Sequence, residues 1–180
     1  MKLLFVRHGE TDLNKEAKTS GQRMDTLLNE DGIRQAEETA KGLPSDVDLI
    51  FASPLKRAAQ TAKIIGQKLN LPIKFRDEIK ERDFGSLSGK TWEEMQKEAE
   101  NPNLHVLDEG LRYDYCPWGG ESVEDVKKRF LGFVDEIKTK YPGKKILVVT
   151  HGGLIRIMHA VFPQKELPII ANASIHEFKL

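Results

Sequence analysis

Residues 2–11 read KLLFVRHGET, an apolar run that ends in an arginine, a histidine and a glycine. The consecutive apolar residues from Leu3 to Val6 are typical of a strand buried on both faces of a parallel sheet. Arg7 and His8 then fall at the carboxyl end of this strand, which is the edge where open parallel sheets bind ligands. The stretch therefore predicts an α/β fold with polar chemistry at the end of its first strand.

Two later stretches repeat this arrangement. Residues 145–153 read KILVVTHGG, so that His151 and Gly152 follow an apolar run, and residues 48–57 read DLIFASPLKR and end at Arg57. If these strands run parallel to the first, all three deliver their polar ends to one edge of the sheet. That edge would combine fixed positive charge and two imidazoles with the N–H groups of helix N-termini, which favour anions. The arrangement is typical of a pocket for a dianionic phosphoryl group.

The rest of the chain alternates strand and helix patterns. Residues 72–75 form a weaker strand candidate, and residues 174–180 alternate in a way that predicts an edge strand. Strands alternating with helices predict a three-layer αβα sandwich around a mostly parallel sheet. We expect one domain over residues 1–180, with a small cap inserted at about residues 85–120, where an aromatic-rich segment holds one short helical pattern.

Four helices have recognisable N-terminal signals. Asn29 precedes a helix with an apolar face, and Ser53 followed by a proline predicts a cap for the next helix. Ser122 and Asp125 resemble a capping box that opens a third helix, with Asp in place of the usual Glu. A fourth helix is predicted over residues 154–162, directly after the second histidine–glycine pair. Two of the polar strand ends therefore lead directly into helices.

The composition restricts the class of protein. The 180 residues carry 28 Lys plus Arg and 28 Asp plus Glu, which argues against a nonspecific nucleic-acid binder or a basic membrane-surface protein. The N-terminal apolar run is too short for a signal peptide or a membrane span, so we expect a cytoplasmic protein. The single cysteine, Cys116, allows no intrachain disulfide, and the five histidines show no metal-ligand spacing.

The segment GSLSGKT at residues 85–91 superficially resembles a phosphate-binding P-loop. A P-loop has four residues between its glycines and follows a hydrophobic strand, whereas this segment has three and follows the charged residues 80–83. Leu87 stands between the glycines, where a nucleophile elbow would carry serine. The segment therefore supports neither nucleotide binding nor catalysis by a serine nucleophile.

His8 has surroundings that favour a neutral, nucleophilic imidazole. Arg7 and Arg57 are fixed cations, and like charge disfavours the imidazolium form. The turn at Gly9 can offer a backbone carbonyl to one ring N–H, which leaves the other ring nitrogen with a free lone pair. Such a nitrogen attacks phosphorus to give a phosphohistidine, while the arginines and His151 stabilise the charge of the transition state. No metal ion or cofactor is needed if the protein itself supplies this positive charge.

Motifs spread along almost the whole chain resemble the histidine phosphatase superfamily, also called the phosphoglycerate-mutase-like family. Each piece alone is weak, whereas the ordered and correctly spaced set is highly specific. The matching pieces are RHGET at residues 7–11 with Asn14, SG at 20–21 with Asp25 and Leu28, SPL at 53–55 with Arg57, Ala58, Thr61 and Ala62, Glu81 with Phe84, Gly85 and Gly89, GES at 120–122, THG at 150–152 with Ile155 and Arg156, and NAS at 172–174.

The resemblance implies a role for each matching site residue. It implies that His8 is the phosphorylated nucleophile and that Glu81 is the general acid for the leaving oxygen. It also implies that the phosphoryl group of a small phosphorylated metabolite is bound by Arg7, Asn14, Arg57, His151 and Gly152. A carboxyl group in the acid role needs a raised pKa, which partial burial beside a dianionic phosphate would provide. The oligomeric state stays open.

Several assignments stay open at the level of the sequence. Glu78 is a rival for the acid, because both carboxylates lie in one charged run. The residues that either line the leaving-group side or pack the cap are Arg82, Arg156, Trp92, Tyr113, Tyr115 and Trp118. The remaining histidines lack a catalytic context and are interpreted as ordinary; they are His105, His159 and His176.

The same constellation supports either hydrolysis or phosphoryl transfer within one substrate. Cofactor-dependent phosphoglycerate mutases carry a Tyr and then a Lys shortly after the catalytic Glu, and paired arginines in a long insertion. Here those places hold Phe84 and Trp92, and residues 85–120 contain a single arginine, Arg112. We therefore expect a phosphatase, with a mutase as the enzyme alternative and a noncatalytic phosphoryl-binding module as the alternative from another class.

Overall fold

The computed structural model describes residues 1–163 and 169–180. Within these residues lies a five-stranded sheet in the order β3-β2-β4-β1-β5. The elements are β1 (Lys2–Arg7), α1 (Asp12–Lys15), α2 (Glu30–Gly42), β2 (Leu49–Ala52), α3 (Lys56–Leu69), β3 (Ile73–Phe75), α4 (Trp92–Glu98), α5 (Leu104–Glu109), α6 (Val123–Lys140), β4 (Lys145–Thr150), α7 (Gly152–Val161) and β5 (Ile175–Lys179). Strands β1 to β4 pair in parallel and β5 is an antiparallel edge strand, so the predicted α/β class is confirmed.

The register of the sheet brings the two histidine motifs to the same edge. Arg7 of β1 lies opposite Thr150 of β4, so His8 and His151 each follow the last paired residue of neighbouring parallel strands. On the other side of β4, β2 ends at Ala52 and leads toward α3. The topology therefore produces the predicted convergence of three strand ends.

Apolar side chains cover both faces of the sheet. Leu4 and Val6 of β1 belong to a buried cluster with α2 and α3, whereas Leu3 and Phe5 pack with α6 and α7 on the opposite face. Removal of this apolar surface from water, at roughly 25 cal/mol per Å², is the main term that holds the three layers together. None of the helices in the described part of the chain combines the length and the apolar character needed to cross a lipid bilayer.

The helix starts agree with the sequence in two cases and differ in a third. The Asn29 side chain caps α2, and Ser122 and Asp125 form the predicted capping box of α6. The predicted cap at Ser53 is wrong, because α3 begins only at Lys56 and has no side-chain cap. The Ser53 hydroxyl accepts a hydrogen bond from the N–H of Leu55, the residue before the helix, at 3.3 Å, and it also lies 2.8 Å from His151 Nε2.

The segment over residues 85–120 is irregular but well packed. It holds α4, which the apolar spacing predicts, and α5, which it does not. Met95 and Leu104 are buried in the same apolar cluster as α6 and α7. Gly85 has a left-handed backbone conformation with φ of 62°, and a Cβ there would collide with the Trp118 carbonyl. The two ends of the segment are therefore held in contact.

Candidate active site

A pocket of about 190 Å³ opens at the sheet edge where β1 and β4 end. The His8 and His151 rings lie side by side at this edge, with 5.2 Å between their centroids. Arg57 reaches the same place from the first turn of α3, and its Nε lies 3.2 Å from His8 Nε2. His151 is not itself part of the pocket lining and reaches the site as the neighbour of His8. The lining residues include His8, Arg57, Arg7, Asn14, Glu81, Arg82, Trp92, His105, Asp108, Gly152, Gly153 and Arg156. The structure thus brings together all the site residues that the sequence predicts.

His8 is buried, and its two ring nitrogens have different partners. Nδ1 lies 2.7 Å from the carbonyl oxygen of Gly9, and because a carbonyl only accepts, Nδ1 carries the proton. Nε2 accepts a hydrogen bond from Arg57 Nε and therefore holds the lone pair. Burial, followed by the charges of Arg57 and its neighbours, lowers the pKa of His8 well below the usual value. The imidazole is therefore neutral, with its lone pair beside a guanidinium group.

Arg57 is a buried cation whose other hydrogen bonds go to backbone carbonyls. Nη2 donates to the Gly21 carbonyl at 2.8 Å, and Nη1 donates to the Met24 carbonyl at 3.5 Å. Burial lowers the pKa of Arg57 to about 10, which still leaves the guanidinium charged at neutral pH. The group is thus held at one end by the loop before α2 and at the other by His8.

Two buried polar atoms beside His8 have no hydrogen-bond partner among residues 1–163 and 169–180. Arg7 Nη1 donates to the Ile170 carbonyl at 2.7 Å, whereas Arg7 Nε is unpaired. His151 Nε2 lies 2.8 Å from Ser53 Oγ, whereas His151 Nδ1 is unpaired. Burial is the main cause that lowers the pKa of His151 well below its usual value. Buried polar atoms are costly to leave unpaired, and a bound phosphoryl group would supply acceptors at this place.

Asn14 and Gly152 are positioned by helix termini. Asn14 Oδ1 accepts hydrogen bonds from the Thr11 N–H at 3.2 Å and from Asn172 Nδ2 at 3.1 Å, so the amide NH₂ is the group left for a ligand. Gly152 is the first residue of α7, whose N-terminus adds partial positive charge to the pocket. Both residues therefore lie where an anion would find donors.

Glu81 is a buried carboxylate held by three donors. Oε1 accepts from the Arg82 backbone N–H at 3.0 Å and from Arg82 Nη1 at 3.1 Å, while Oε2 accepts from the Gly153 N–H at 3.2 Å. Burial raises the pKa of Glu81, but the Arg82 charge, the two backbone N–H groups and Arg57 outweigh burial, so the pKa lies below its usual value. In the free protein the carboxyl group is thus ionised at neutral pH, and the raised pKa expected from the sequence requires the charge of a bound dianion.

The loop that carries Glu81 is fixed from α6. Arg129 donates to the carbonyls of Glu78 and Lys80, both at 2.8 Å, and to that of Glu81 at 3.0 Å. The rival carboxylate of Glu78 binds Arg76 at 2.6 Å and is not part of the pocket lining. Glu81 is therefore the carboxylate of this charged run that the fold delivers to the pocket.

A second buried carboxylate lies behind Glu81. Asp108 of α5 accepts two hydrogen bonds from Arg82, from Nε at 2.8 Å and from Nη2 at 2.7 Å. Tyr115 Oη donates to the same carboxylate at 2.8 Å, and Arg156 Nη1 lies 3.3 Å from it. The charged groups on this side of the pocket thus neutralise one another within the protein.

The four aromatic residues left open by the sequence divide into two groups. Trp92 lines the pocket and stacks on His105, with ring centroids 4.4 Å apart. Tyr113 and Tyr115 are buried and stack on each other, and Trp118 packs against the same apolar cluster. His105, which the sequence interprets as an ordinary histidine, thus contributes its ring to the pocket wall, and none of its contacts within the described residues gives it a catalytic role.

Sequence reasoning misses Gly153 and Asp108. A Cβ on Gly153 would overlap Arg82 Nη1 and Glu81 Oε1, so any larger residue would displace these two side chains. The second glycine after His151 is a usable signal for such a close approach. Asp108 has no comparable signal, because it is one acidic residue in a segment without a regular pattern.

The chain is similar to known proteins along almost its whole length. The family model of the histidine phosphatase superfamily (branch 1) matches residues 3–180. The chain is 38% identical to the uncharacterized phosphatase PhoE of Bacillus subtilis, over 86% of this chain and 73% of that protein. It is 33% identical to a metal-independent phosphoserine phosphatase of Arabidopsis thaliana, over 97% of this chain and 74% of that protein.

A solved structure with the same fold is that of the mycobacterial glucosyl-3-phosphoglycerate phosphatase in complex with VO3. The TM-score is 0.80 at 30% identity, and the match covers 98% of this chain and 91% of that chain. Relatives named as phosphoglycerate mutases also match. The chain therefore belongs to the histidine phosphatase superfamily, whose phosphatase-named members support a phosphatase activity for it.

Proposed function

We propose that this protein is a metal-independent phosphomonoesterase that hydrolyses small phosphorylated metabolites through a phosphohistidine on His8. The observation that carries the proposal is the neutral imidazole whose Nε2 lone pair lies 3.2 Å from Arg57 Nε. A neutral imidazole is a nucleophile, and a guanidinium beside it can bind the oxygens of the group under attack. Together with this pair, the proposed anion site consists of Arg7, Asn14, His151 and Gly152.

In the first half-reaction, His8 Nε2 attacks phosphorus and the bond between phosphorus and the leaving oxygen breaks. Arg57 exchanges its contact with Nε2 for a phosphoryl oxygen, and the leaving oxygen takes the proton of Glu81 to depart as an alcohol. His8 Nδ1 keeps its proton on the Gly9 carbonyl, which holds the ring in line as it becomes positively charged.

In the second half-reaction, a water molecule attacks the phosphorus atom of the phosphohistidine. The phosphorus–nitrogen bond breaks, and the proton of the water passes to the Glu81 carboxylate. Inorganic phosphate leaves, and His8 returns to the neutral form with its lone pair on Nε2. Glu81 keeps this proton while phosphate is bound and gives it up as phosphate leaves, so the free protein returns with an ionised carboxylate and takes up a proton again with the next substrate.

Glu81 must gain a proton when the substrate binds. Arg7 and Arg57 interact electrostatically with Glu81 in the free protein and help to keep it ionised. A dianionic phosphoryl group neutralises these two cations, so its arrival raises the pKa of Glu81 in the direction in which burial already acts. Substrate binding and proton uptake are therefore coupled.

Residues 85–120 act, in this proposal, as a cap over the leaving-group side of a single domain. Trp92 and His105 form an aromatic wall of the pocket, which suits a leaving group that is partly apolar. Arg156 and Lys18 stand at the same side and supply donors for polar groups of the substrate. Selectivity among phosphomonoesters is then set by the cap and not by the phosphoryl site.

Relatives named as mutases keep phosphoglycerate mutation as the alternative. Against it, Phe84 and Trp92 occupy the places where mutases carry Tyr and Lys, and the two rings pack edge to face at 5.9 Å. Incubation with 3-phosphoglycerate decides between the two reactions: free phosphate supports the phosphatase, and 2-phosphoglycerate supports the mutase. A noncatalytic module would bind phosphate and release neither product.

The proposal is tested first with p-nitrophenyl phosphate in the presence of EDTA. We expect hydrolysis at an unchanged rate, because arginine supplies the positive charge. A base quench during turnover, followed by peptide mapping, should place the acid-labile phosphoryl group on His8. Activity that is lost on chelation, or a turning-over enzyme without this adduct, would contradict the mechanism.

The acid is tested by Glu81→Gln, with Glu78→Gln as the matched control. Loss of a general acid typically costs about 10²- to 10⁴-fold, and the loss should be greatest for alkyl phosphates, whose leaving oxygen needs the proton. p-Nitrophenyl phosphate should be affected far less, and Glu78→Gln should leave both substrates unchanged. Equal loss for good and poor leaving groups in Glu81→Gln would remove Glu81 from this role.

A further inference from the structure

We propose that Asp108 is a positioning residue, which holds Arg82 in the orientation that places a guanidinium N–H on Glu81. The inference rests on the proposed function, in which Glu81 gives its proton to the leaving oxygen. Asp108 acts through Arg82 and not on the reacting atoms. It thereby connects α5, in the segment over residues 85–120, to the acid of the reaction.

The three side chains form one continuous hydrogen-bonded unit. Two nitrogens of Arg82, Nε and Nη2, donate to the two oxygens of Asp108 at 2.8 and 2.7 Å. The third nitrogen, Nη1, donates to Glu81 Oε1 at 3.1 Å. Because a guanidinium is planar and rigid, the bidentate pair with Asp108 fixes the direction of the N–H that reaches Glu81.

Asp108 is itself held in one position. Its side chain is 1% exposed, and its oxygens also accept hydrogen bonds from Tyr115 Oη at 2.8 Å and Arg156 Nη1 at 3.3 Å. The Arg82 guanidinium packs over the Phe84 ring, 4.6 Å from its centroid. Neither partner of the pair can therefore turn away without leaving a buried charge unpaired.

Charged and titratable groups face Glu81 from several elements. They are Arg7 from β1, Arg57 from α3, Arg82 beside it in the chain, Tyr113 before α6, Arg129 from α6 and the Gly153 N–H from α7. After burial, the Arg82 charge has the largest influence on the pKa of Glu81, and it lowers that pKa. Asp108 is the carboxylate that offsets this charge from the far side of the guanidinium.

The arrangement predicts opposite effects for the substitution of Asp108 and the substitution of Arg82. Asp108→Asn removes the offsetting charge and turns an amide NH₂ toward the Arg82 donors, so Glu81 feels a stronger and less well directed cation. Arg82→Met removes the cation itself while keeping an apolar side chain over Phe84. Glu81 should therefore hold its proton less well in the first variant and better in the second.

The experiment measures the single-turnover rate of phosphohistidine formation from an alkyl phosphate as a function of pH. The rate falls as pH rises because Glu81 loses its proton. This descending limb of the pH–rate profile should move by about one pH unit to lower pH in Asp108→Asn, with about a tenfold loss of rate at neutral pH. It should move to higher pH in Arg82→Met. Glu93→Gln, which removes an exposed carboxylate of α4, should show the same pH–rate profile as the parent protein.

The outcomes separate this inference from the proposed function. If Glu81→Gln shows no dependence on the leaving group, Glu81 is not the acid, and the acid step of the proposed function fails together with this inference. If that variant behaves as expected but Asp108→Asn leaves the profile in place, or if both variants move it in the same direction, Asp108 has only a structural role and the inference is wrong.

Folding of the variants is checked by thermal denaturation before the rates are compared. Asp108→Glu keeps the charge on a longer side chain, so its profile should stay near that of the parent even where its stability is lower. If neither Asp108 variant folds, Arg82→Met decides alone: a limb at higher pH supports the inference, and an unmoved limb overturns it.

Discussion

The proposed function divides the pocket into a phosphoryl end, at Arg7, His8 and Arg57, and a leaving-group end, at Arg82, Asp108 and Arg156, and the two ends handle charge in opposite ways. At the phosphoryl end, Arg7 and Arg57 donate to backbone carbonyls and to His8, and neither forms an ion pair within the described ranges 1–163 and 169–180. At the leaving-group end, Arg82 and Arg156 are both bound to Asp108. Positive charge is thus available to a dianion at one end and neutralised inside the protein at the other.

In the proposed function, the two ends bind different parts of the substrate: one binds the constant phosphoryl group and the other the variable leaving group. Every phosphomonoester carries the same dianionic group, so its binding site can be fixed to strand ends and to the first turn of a helix. The leaving group differs from one metabolite to the next, and it meets side chains from an irregular segment. Variants at the first end should therefore affect all substrates alike, and variants at the second should not.

The largest effect is expected for Arg57→Met, which removes a cation at the phosphoryl end. Turnover should fall by about 10³-fold, as is typical when a group that stabilises transition-state charge is lost. The loss should be similar for alkyl and aryl phosphates, because Arg57 does not contact the leaving group. The measurement is kcat/KM for both substrate types, with Arg156→Met as the comparison. Losses at Arg57 that depend strongly on the leaving group would break the distinction between the two ends.

Gly153→Ala should have the next largest effect, about 10²-fold in kcat for alkyl phosphates. The added Cβ would overlap Glu81 Oε1 and Arg82 Nη1, so the acid has to move. Gly152→Ala should lose less, since its Cβ would meet Arg7 Nε at an ordinary 3.6 Å. A steady-state comparison of the two variants tests this ranking. Equal losses would show that α7 acts through its N-terminus alone and not through contact with Glu81.

Trp92→Ala should change selectivity with little effect on the chemical step. The indole stacks on His105 at the pocket wall, and the loss of one aromatic surface typically costs about 1 kcal/mol, or a few-fold to tenfold in KM. The increase should be greatest for substrates with apolar leaving groups and absent for the smallest alkyl phosphate. A uniform fall in kcat for all substrates would instead assign Trp92 to the packing of the cap.

The same contrast explains how much of the site could be predicted from the sequence. His8, Arg57 and His151 follow apolar runs or sit in a first helical turn, so their positions follow from the parallel sheet. Local rules therefore place the proposed nucleophile and most of the proposed anion site. They fail at Ser53, which does not cap the helix, because α3 begins three residues later and the Ser53 hydroxyl contacts His151 and the Leu55 N–H.

The leaving-group end could not be predicted in the same way. Asp108 and Arg82 are 26 positions apart in the chain, and their pairing depends on how α5 packs against the loop after β3. The stacking of His105 on Trp92 likewise depends on the contact between α4 and α5. Periodicity predicts α4 but does not say which element it packs against, and α5 is too short to show a clear apolar face.

The smallest effect is expected at a second pair of histidines, which lies apart from the pocket. His159 Nε2 and His176 Nδ1 are 3.0 Å apart, and His176 Nε2 also contacts Ser174 Oγ. Burial, followed by the charge of His159, lowers the pKa of His176 to about 4. The unfolded chain takes up a proton near the usual pKa of about 6.5, so stability is highest above that pH and falls as the pH drops toward 4.

His176→Gln should reduce this loss, because glutamine keeps a polar side chain but does not titrate. Between pH 7 and pH 4.5, the free energy of unfolding should fall by on the order of 1 kcal/mol more in the parent than in His176→Gln. The difference is modest because the pair lies near the sheet edge, where solvent weakens the effect of burial. Urea denaturation at the two pH values measures it. His8 and His151 give a change of the same sign, so the variant should lessen the pH dependence without removing it. If its pH dependence matches that of the parent, protonation of His176 does not contribute to the acid sensitivity.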